Sequence, residues 1–282
     1  MKVVLPEGPD TLIKSRAYTF DLASQVTSVV DGGITTNYAY DLAGQLTSEV
    51  KSSGYSASYS YDANGNRLSR TVNDVTESYS YDAGDKLLAV TGGVDPRSFV
   101  YDAAGRTTSI QRASGNTNFT YDYESRVTSI TKPGTVTNLM SYNGLGTRVG
   151  LTDSGGSKQY MRDGVGVTSP VLSDGNSTFT AGGERTNGVS KTLHSGLKND
   201  DLQTNASGSV IGERLYDAFG NVVSNSGAWS SHSGYGGKFG YQDDADSSLK
   251  LLGHRYYDSS TGRFLTRDPI KDGRNWYVYC DN

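Results

Sequence analysis

The sequence predicts an all-β protein of stacked β-hairpin repeats, arranged as one continuous curved or spiralling sheet that forms a partial shell or a solenoid-like fibre. Three observations lead to this prediction. A short aromatic word recurs about every twenty residues, each copy precedes a turn signal, and 20 of the 282 residues are tyrosine. Tyrosine favours partly buried β-strands, where its ring packs on the sheet and its hydroxyl stays near water. Apolar three-four spacing never runs over eleven residues without a glycine or a turn cluster, so no amphipathic helix is expected.

The recurring word is aromatic-x-aromatic-acid, and it defines the repeat. Two aromatic residues at i and i+2 lie on the same face of a strand. The copies are Tyr18–Asp21, Tyr38–Asp41, Tyr59–Asp62, Tyr79–Asp82, Phe99–Asp102, Phe119–Asp122 and a degenerate seventh, Met140–Asn143. The residues predicted to build the turns and the aromatic ladder are Tyr40, Asp41, Tyr61, Asp62, Tyr81, Asp82, Tyr101, Asp102, Tyr121 and Asp122.

Each word opens an Asp-x-x-Gly turn, as from Asp41 to Gly44. Aspartate bonds nearby backbone amides in a type I turn, and glycine accepts the positive φ that follows. Ser24 and Ser125 occupy that glycine position in the first and sixth copies. Because serine tolerates a left-handed backbone poorly, altered turns are expected in both copies.

The strand after each turn carries two apolar residues three apart, such as Leu87 and Val90. Strict alternation would place them on opposite faces, so either a β-bulge or a strand covered on both sides is expected. A second turn signal follows, which gives strand, turn, strand, turn in each repeat. Stacking should bring the aromatic pairs of neighbouring repeats together, with each cross-strand pair contributing roughly 0.2–1 kcal/mol.

The bulk composition narrows the functional classes. The net charge is −4 and the charges are interspersed, so no basic stripe for nucleic acid is present. One cysteine, Cys280, and three scattered histidines indicate no disulfide framework, metal site or cofactor site. No stretch approaches the ~20 apolar residues of a membrane span, and no signal peptide is visible at the start.

The spacing of the repeats divides the chain into three segments. Residues 1–150 hold seven hairpin repeats, 151–215 hold degenerate repeats and Gly/Ser/Thr-rich loops, and 216–282 hold a distinct C-terminal segment. That segment contains Arg-Tyr-Tyr-Asp at 255–258, Gly-Arg-Phe-Leu at 262–265 and Arg-Asp-Pro at 267–269.

The repeats resemble YD repeats, and the C-terminal segment is similar to the core signature of bacterial RHS proteins. The matching core residues are Arg255, Tyr256, Tyr257, Asp258, Gly262, Arg263, Phe264, Leu265 and Pro269. This family includes toxin-complex C components, polymorphic toxins and the teneurins. The resemblance implies a hollow β-shell that encloses or displays a C-terminal effector, and a core that acts as an aspartyl autoprotease.

Arg267 and Asp268 match the Arg-Asp-Pro of that autoproteolytic site. Cleavage needs a second carboxylate, since a carboxyl pair can share one proton and so divide the acid and base roles. Asp281 is near the expected place of that partner, but the sequence stops before the family's downstream words. The chain is therefore expected to be no enzyme and not to cleave itself.

Two functions are open at this point. The first is a structural shell segment whose partners are an effector cargo and a delivery apparatus. The second is an extracellular fibre or adhesin that self-associates into filaments and presents tyrosine-rich outer faces to a protein or glycan. Either reading predicts a secreted or cell-surface bacterial protein.

Overall fold

A computed structural model of the chain describes residues 2–4, 12–180 and 182–279, and these are almost entirely β-structure. Among them the one helical element is a 3₁₀ turn, Gly237–Phe239. The prediction of an all-β chain of stacked hairpin repeats is confirmed. The chain divides into two compact units, residues 1–99 with 268–282, and residues 100–267. The proposed segments 1–150, 151–215 and 216–282 stay a prediction.

The largest sheet has sixteen antiparallel strands, and their order in the sheet is their order in the chain. Such an order follows when each strand pairs with the next strand in the chain. The strands are β1 (Lys2–Val4), β2 (Leu12–Phe20), β3 (Val26–Asp31), β4 (Ile34–Tyr40), β5 (Leu46–Lys51), β6 (Ser56–Tyr61), β7 (Arg67–Val72), β8 (Val75–Tyr81), β9 (Leu87–Gly92), β10 (Arg97–Tyr101), β11 (Thr107–Arg112), β12 (Thr117–Tyr121), β13 (Val127–Thr131), β14 (Asn138–Tyr142), β15 (Arg148–Asp153) and β16 (Gly156–Gln159).

Two smaller antiparallel sheets follow, of eight and four strands, again in chain order. The second sheet consists of β17 (Met161–Arg162), β18 (Val171–Ser173), β19 (Ser177–Thr180), β20 (Gly183–Thr186), β21 (Val189–Ser195), β22 (Asp200–Asn205), β23 (Val210–Tyr216) and β24 (Val222–Gly227). The third consists of β25 (Gln242–Asp243), β26 (Lys250–Leu252), β27 (Arg255–Asp258) and β28 (Arg263–Phe264). The stretch 151–215, expected to be rich in loops, thus carries short strands, because serine and threonine are compatible with a pleated surface.

The repeat turns have the predicted geometry. In the turn after β4, the Gly44 amide donates to the Asp41 carbonyl (3.0 Å) and the Asp41 amide to the Gln45 carbonyl (2.9 Å). The expectation of altered turns at the two serine positions is wrong. Ser24 and Ser125 both have φ of 63°, and each amide donates to the first residue of its turn at 3.1 Å. The hairpin hydrogen bonds therefore hold serine in the left-handed conformation.

Replacing Ser125 by glycine should raise the free energy of unfolding by about 1 kcal/mol, because glycine removes the strain of a left-handed Cβ. The reverse change, Gly146→Ser, should lower it by a similar amount. Gly146 has φ of 78°, and a Cβ there would meet only the end of Arg126 at 3.7 Å. The loss of stability in Gly146→Ser therefore measures the backbone strain and not a steric clash. Urea unfolding of both variants measures the two shifts. Equal stability of all three proteins would contradict this account.

A β-bulge accounts for the apolar pairs three apart. Tyr79 is opposite Val90, Ser80 is opposite Ala89, and Tyr81 is opposite Leu87, so the register skips one residue. That skip turns both Leu87 and Val90 toward the same face, where they are 2% and 1% exposed. Of the two alternatives, the structure shows the bulge.

The aromatic strands of neighbouring repeats are not direct neighbours in the sheet. Each is separated from the next by the strand that follows the turn, so the backbones of equivalent residues lie two strand spacings, ~10 Å, apart. The aromatic ladder stays a prediction. The residues directly opposite the rings are instead apolar or cationic: Tyr79 lies opposite Val90, Phe119 opposite Ile130, and Tyr61 opposite Arg67. The buried face of the sheet therefore combines aromatic side chains with aliphatic and charged ones.

Candidate functional site

The repeated aspartates act as turn braces. One carboxylate oxygen of each accepts the backbone amides two and four residues later. For Asp62 these amides belong to Asn64 and Asn66, both at 2.9 Å. The same pair of bonds forms at Asp21, Asp41, Asp82, Asp102, Asp122 and Asn143. These side chains are committed to backbone geometry.

The second tyrosine of five of the words links one repeat to the previous one. The Tyr61 hydroxyl donates to the Leu46 carbonyl (2.9 Å), and the Tyr81 hydroxyl donates to the Arg67 carbonyl (2.9 Å). The same bond is made by Tyr40 to Val26, Tyr121 to Thr107 and Tyr142 to Val127. Spacing alone did not suggest this link, because the acceptor lies on the strand after the previous turn and is a backbone atom of any residue type.

The first aromatics of the words point to the buried face. Tyr59 and Tyr79 are each 6% exposed. These two rings therefore do not contribute to a tyrosine-rich outer face, and a glycan partner stays a prediction. Burial raises the pKa of Tyr79 to about 12, which keeps its hydroxyl protonated as a donor to Glu77 (2.7 Å).

In the second unit, Tyr257 of the core signature binds the repeat-type turn at 217–221. The Tyr257 hydroxyl donates to the Phe219 carbonyl (2.9 Å), and its ring stacks on Tyr235 with centroids 6.4 Å apart. Tyr257 also meets Phe264 edge-on at 5.8 Å. Tyr235 in turn donates to the Ala218 carbonyl (2.9 Å). Tyr257 and Tyr235 thus bind the turn through its backbone carbonyls.

Tyr256 is anchored to strand β15. The Arg148 guanidinium donates to the Tyr256 hydroxyl (2.9 Å) and also to Gln242. Tyr256 and Tyr257 are both fully buried, and Arg148 is 3% exposed. Burial raises the pKa of Tyr256 far above its ordinary value, so the hydroxyl stays neutral beside the cation. This arrangement holds Tyr256 in a fixed position against β15.

The rest of the core signature forms a turn and a strand. Asp258 accepts the Ser260 amide (2.9 Å), and the Gly262 amide donates to the Asp258 carbonyl (2.8 Å). The Arg255 guanidinium lies 3.7 Å from the centre of the Phe264 ring. Arg263 is opposite Asp258, and the Leu265 carbonyl accepts the Thr107 amide (2.9 Å). These residues therefore join the third sheet to β11.

The residues matching the autoprotease word lie just beyond this strand. Arg267 and Asp268 are half-buried, and Pro269 is exposed. One Asp268 carboxylate oxygen accepts the Ile270 amide (2.9 Å), and the Asp268 amide donates to the Trp276 carbonyl (2.7 Å). Asp281, named as a partner carboxylate, lies outside the described residues. The catalytic role of Arg267 and Asp268 stays a prediction.

Sequence reasoning missed the attachment of the C-terminal segment to the third repeat, within the first unit. The Asn275 amide donates to the side-chain oxygen of Asn66 (2.6 Å), and the Asn66 amide donates to Asp62 (2.9 Å) and Asp85 (2.7 Å). Asn66 is 1% exposed. Because the partners are 209 residues apart, no local pattern could reveal the contact.

Lowering the pH should destabilise the second unit through His232. Burial lowers the pKa of His232 to about 4, from an ordinary 6.5. Between these values the unfolded chain binds a proton that the folded chain does not, so the free energy of unfolding should fall by up to about 3 kcal/mol as pH drops from 6.5 to 4. Urea titrations of the wild type and His232→Gln measure it. An identical pH profile for both proteins would rule out this role for His232.

The described residues include no helix with the length and hydropathy that spanning a bilayer requires. Within the same residues, no group of three or more His, Cys, Asp or Glu side chains is placed to hold a metal ion.

Two stretches of the chain, residues 40–74 and 101–137, match the family described as RHS Repeat. Two Escherichia coli K12 proteins of uncharacterised function are similar. YlbH is 33% identical over 75 residues, which are 27% of this chain and 31% of YlbH, and YibJ is 50% identical over 42 residues, which are 14% and 18%. The chain thus spans less than a third of these curated relatives.

Among solved structures, the whole chain aligns with the crystal structure of TcdB2-TccC3-TEV at a TM-score of 0.47 and 17% identity, over 19% of that chain. It also aligns with the Tc holotoxin pore of Photorhabdus luminescens at a TM-score of 0.46 and 16% identity, again over 19%. Both matched family stretches begin at a second-position tyrosine of the repeat word, Tyr40 and Tyr101. The two matched stretches, with the interlocked hairpins that their words build, show that the chain contains RHS repeats of the YD type.

Proposed function

We propose that the chain is a wall segment of an RHS-repeat shell, a scaffold that encloses or displays a C-terminal effector in a secreted or cell-surface protein. The observation that carries this proposal is the interlocking of successive repeats. Five second-position tyrosines bond the backbone of the repeat before them, as Tyr61 does to Leu46. A sheet held by bonds between repeats can extend without a separate core for each hairpin, which is what a container wall requires.

The use of the core signature supports a structural role. Its two tyrosines are fully buried and their hydroxyls are engaged by Arg148 and by the Phe219 carbonyl. Side chains held in this way stabilise the junction between sheets and present no group to a substrate. We therefore infer that this segment serves to hold the wall together.

A fusion tests enclosure directly. A short unstructured reporter peptide with several protease sites is appended after Asn282, and its digestion is followed by mass spectrometry. Enclosure predicts cleavage at least tenfold slower than for the same peptide alone. The matched control carries the peptide before Met1. Cleavage of the C-terminal reporter at the rate of the free peptide would contradict enclosure and leave only display.

We also propose that this chain does not cleave itself. Asp268 braces a turn in the manner of the repeat aspartates, by accepting the amide two residues later. The intact mass of the purified chain should stay unchanged over a day between about pH 5 and pH 8. The Asp268→Asn variant is the control. Loss of a C-terminal piece from the wild type but not from this variant would show an active protease.

A second candidate is an extracellular fibre or adhesin that polymerises. The observation that favours it is β24, the last strand of the second sheet, whose residues are almost all exposed. An open strand edge can pair with a strand of another chain. Negative-stain images that show filaments would support this candidate, and single particles at all concentrations would contradict it.

A further inference from the structure

Strands β4–β9 of the first unit reverse the usual placement of charge. All five of their charged side chains lie on the buried face, opposite or beside the tyrosines. They are Glu49, Lys51, Arg67, Arg70 and Glu77. Solvated sheet faces normally carry the charges, while buried faces are apolar. The exposed side of these strands therefore needs an explanation of its own.

The opposite side of the same strands is an uncharged surface, which we call the hydroxyl face. Most of its side chains are short, and twelve of the eighteen are serine or threonine. It consists of Thr35, Asn37, Ala39, Thr47, Ser48, Val50, Ser56, Ser58, Ser60, Leu68, Ser69, Thr71, Thr76, Ser78, Ser80, Leu88, Ala89 and Thr91. None of these eighteen described residues is ionisable.

Several hydroxyls on this face bond to each other across neighbouring strands. Ser60 and Ser69 are 2.6 Å apart, and Thr71 and Thr76 are 2.9 Å apart. A hydroxyl that already has a partner in its own sheet loses little when water is removed. Dehydrating the hydroxyl face is therefore much less costly than dehydrating a charged sheet.

Apolar side chains are set among these hydroxyls. Val50, Leu68 and Leu88 are 45%, 43% and 43% exposed. Leu68 and Leu88 lie at the β-bulges, so the repeat places one exposed leucine at the same point of two successive hairpins. An uncharged mixture of small hydroxyl and aliphatic residues is suited to packing one sheet against another.

We propose that the hydroxyl face is the interface between two copies of this chain, packed sheet against sheet. Six strands about 4.8 Å apart and about 18 Å long give a footprint of roughly 500 Å² per copy, or ~1,000 Å² for the pair, the smallest area of a specific dimer. The net charge of −4 opposes association of two copies, and this face brings none of it into contact. A second copy also presents the same two-strand repeat, so the large and small side chains of the two faces have the same spacing.

The test is the oligomeric state of the full chain under reducing conditions, by sedimentation equilibrium from about 1 to 200 μM. The wild type should rise from 30.2 kDa toward twice that mass. Ser58→Lys and Ser78→Lys place a cation in the middle of the face, where like charges from two copies meet. Each should weaken association at least tenfold. The control, Ser53→Lys, puts the same charge on an exposed turn and should associate as the wild type does.

Far-ultraviolet circular dichroism and urea unfolding confirm that each variant is folded, and Ser58→Asn, which adds bulk without charge, separates charge from size. A wild type that is monomeric at 200 μM overturns the proposal. Association that is equally strong in all the lysine variants also overturns it and points to pairing at strand edges. Because the fusion experiment on the effector does not depend on dimerisation, its outcome leaves this proposal unaffected.

Discussion

Tyr257→Ala should lower the free energy of unfolding of the second unit by about 3–5 kcal/mol. The side chain is fully buried, and its ring packs on Tyr235 and Phe264. Truncation leaves a cavity between these rings and removes the donor to the Phe219 carbonyl. Because that bond joins the core signature to the turn at 217–221, the loss should affect the third sheet first.

Fluorescence can assign the effect to the right unit, because Trp229 lies in the second unit and Trp276 in the first. Urea unfolding is followed in a Trp276→Phe background for Trp229 and in a Trp229→Phe background for Trp276. Tyr257→Phe keeps the ring and should cost only about 1 kcal/mol. If Tyr257→Ala and Tyr257→Phe were equally stable, ring packing would not be what the core signature provides.

Lys51→Met should destabilise the first unit by about 3–5 kcal/mol. Lys51 pairs with Glu49, and the two side chains are 1% and 0% exposed. Methionine fills the same space but leaves a buried carboxylate without its cation. The pair Lys86–Asp82 is the matched control, since its atoms are 2.9 Å apart but its side chains are 28% and 30% exposed. Lys86→Met should cost less than ~1 kcal/mol.

A double variant distinguishes a lost ion pair from lost packing. In Lys51→Met the Glu49 carboxylate stays buried, whereas Glu49→Gln removes its charge and keeps its shape. Adding Glu49→Gln to Lys51→Met should therefore restore much of the lost stability, as urea unfolding of both proteins measures. A double variant no more stable than Lys51→Met would contradict the ion-pair account.

The local parts of the fold could be predicted from the sequence because their causes lie within a few residues. The Asp-x-x-Gly word contains both the side chain that braces the turn and the residue that accepts positive φ, as at Asp41 and Gly44. The spacing of Leu87 and Val90 likewise pointed to the bulge, since it conflicts with a period of two. Strand type and hairpin connection follow directly from such signals.

The sequence could also locate the core signature but could not show how it is used. Arg148, the partner of Tyr256, lies 108 residues earlier in the chain, and Asn66 meets Asn275 across 209 residues. A turn residue such as Asn66 has no local feature that distinguishes it from an ordinary solvated asparagine. Only the path of the chain brings these side chains together.

An all-β chain of hairpin repeats, with its turns and bulges, could be predicted because hydrogen bonding within a hairpin depends on residues close in the chain. Which face is buried became clear only from the folded chain, in which Glu49 and Lys51 point inward and Ser58 and Ser78 point outward. A period of two marks the two faces of a strand but does not say which one will be covered. That choice depends on residues distant in the chain that pack against each face.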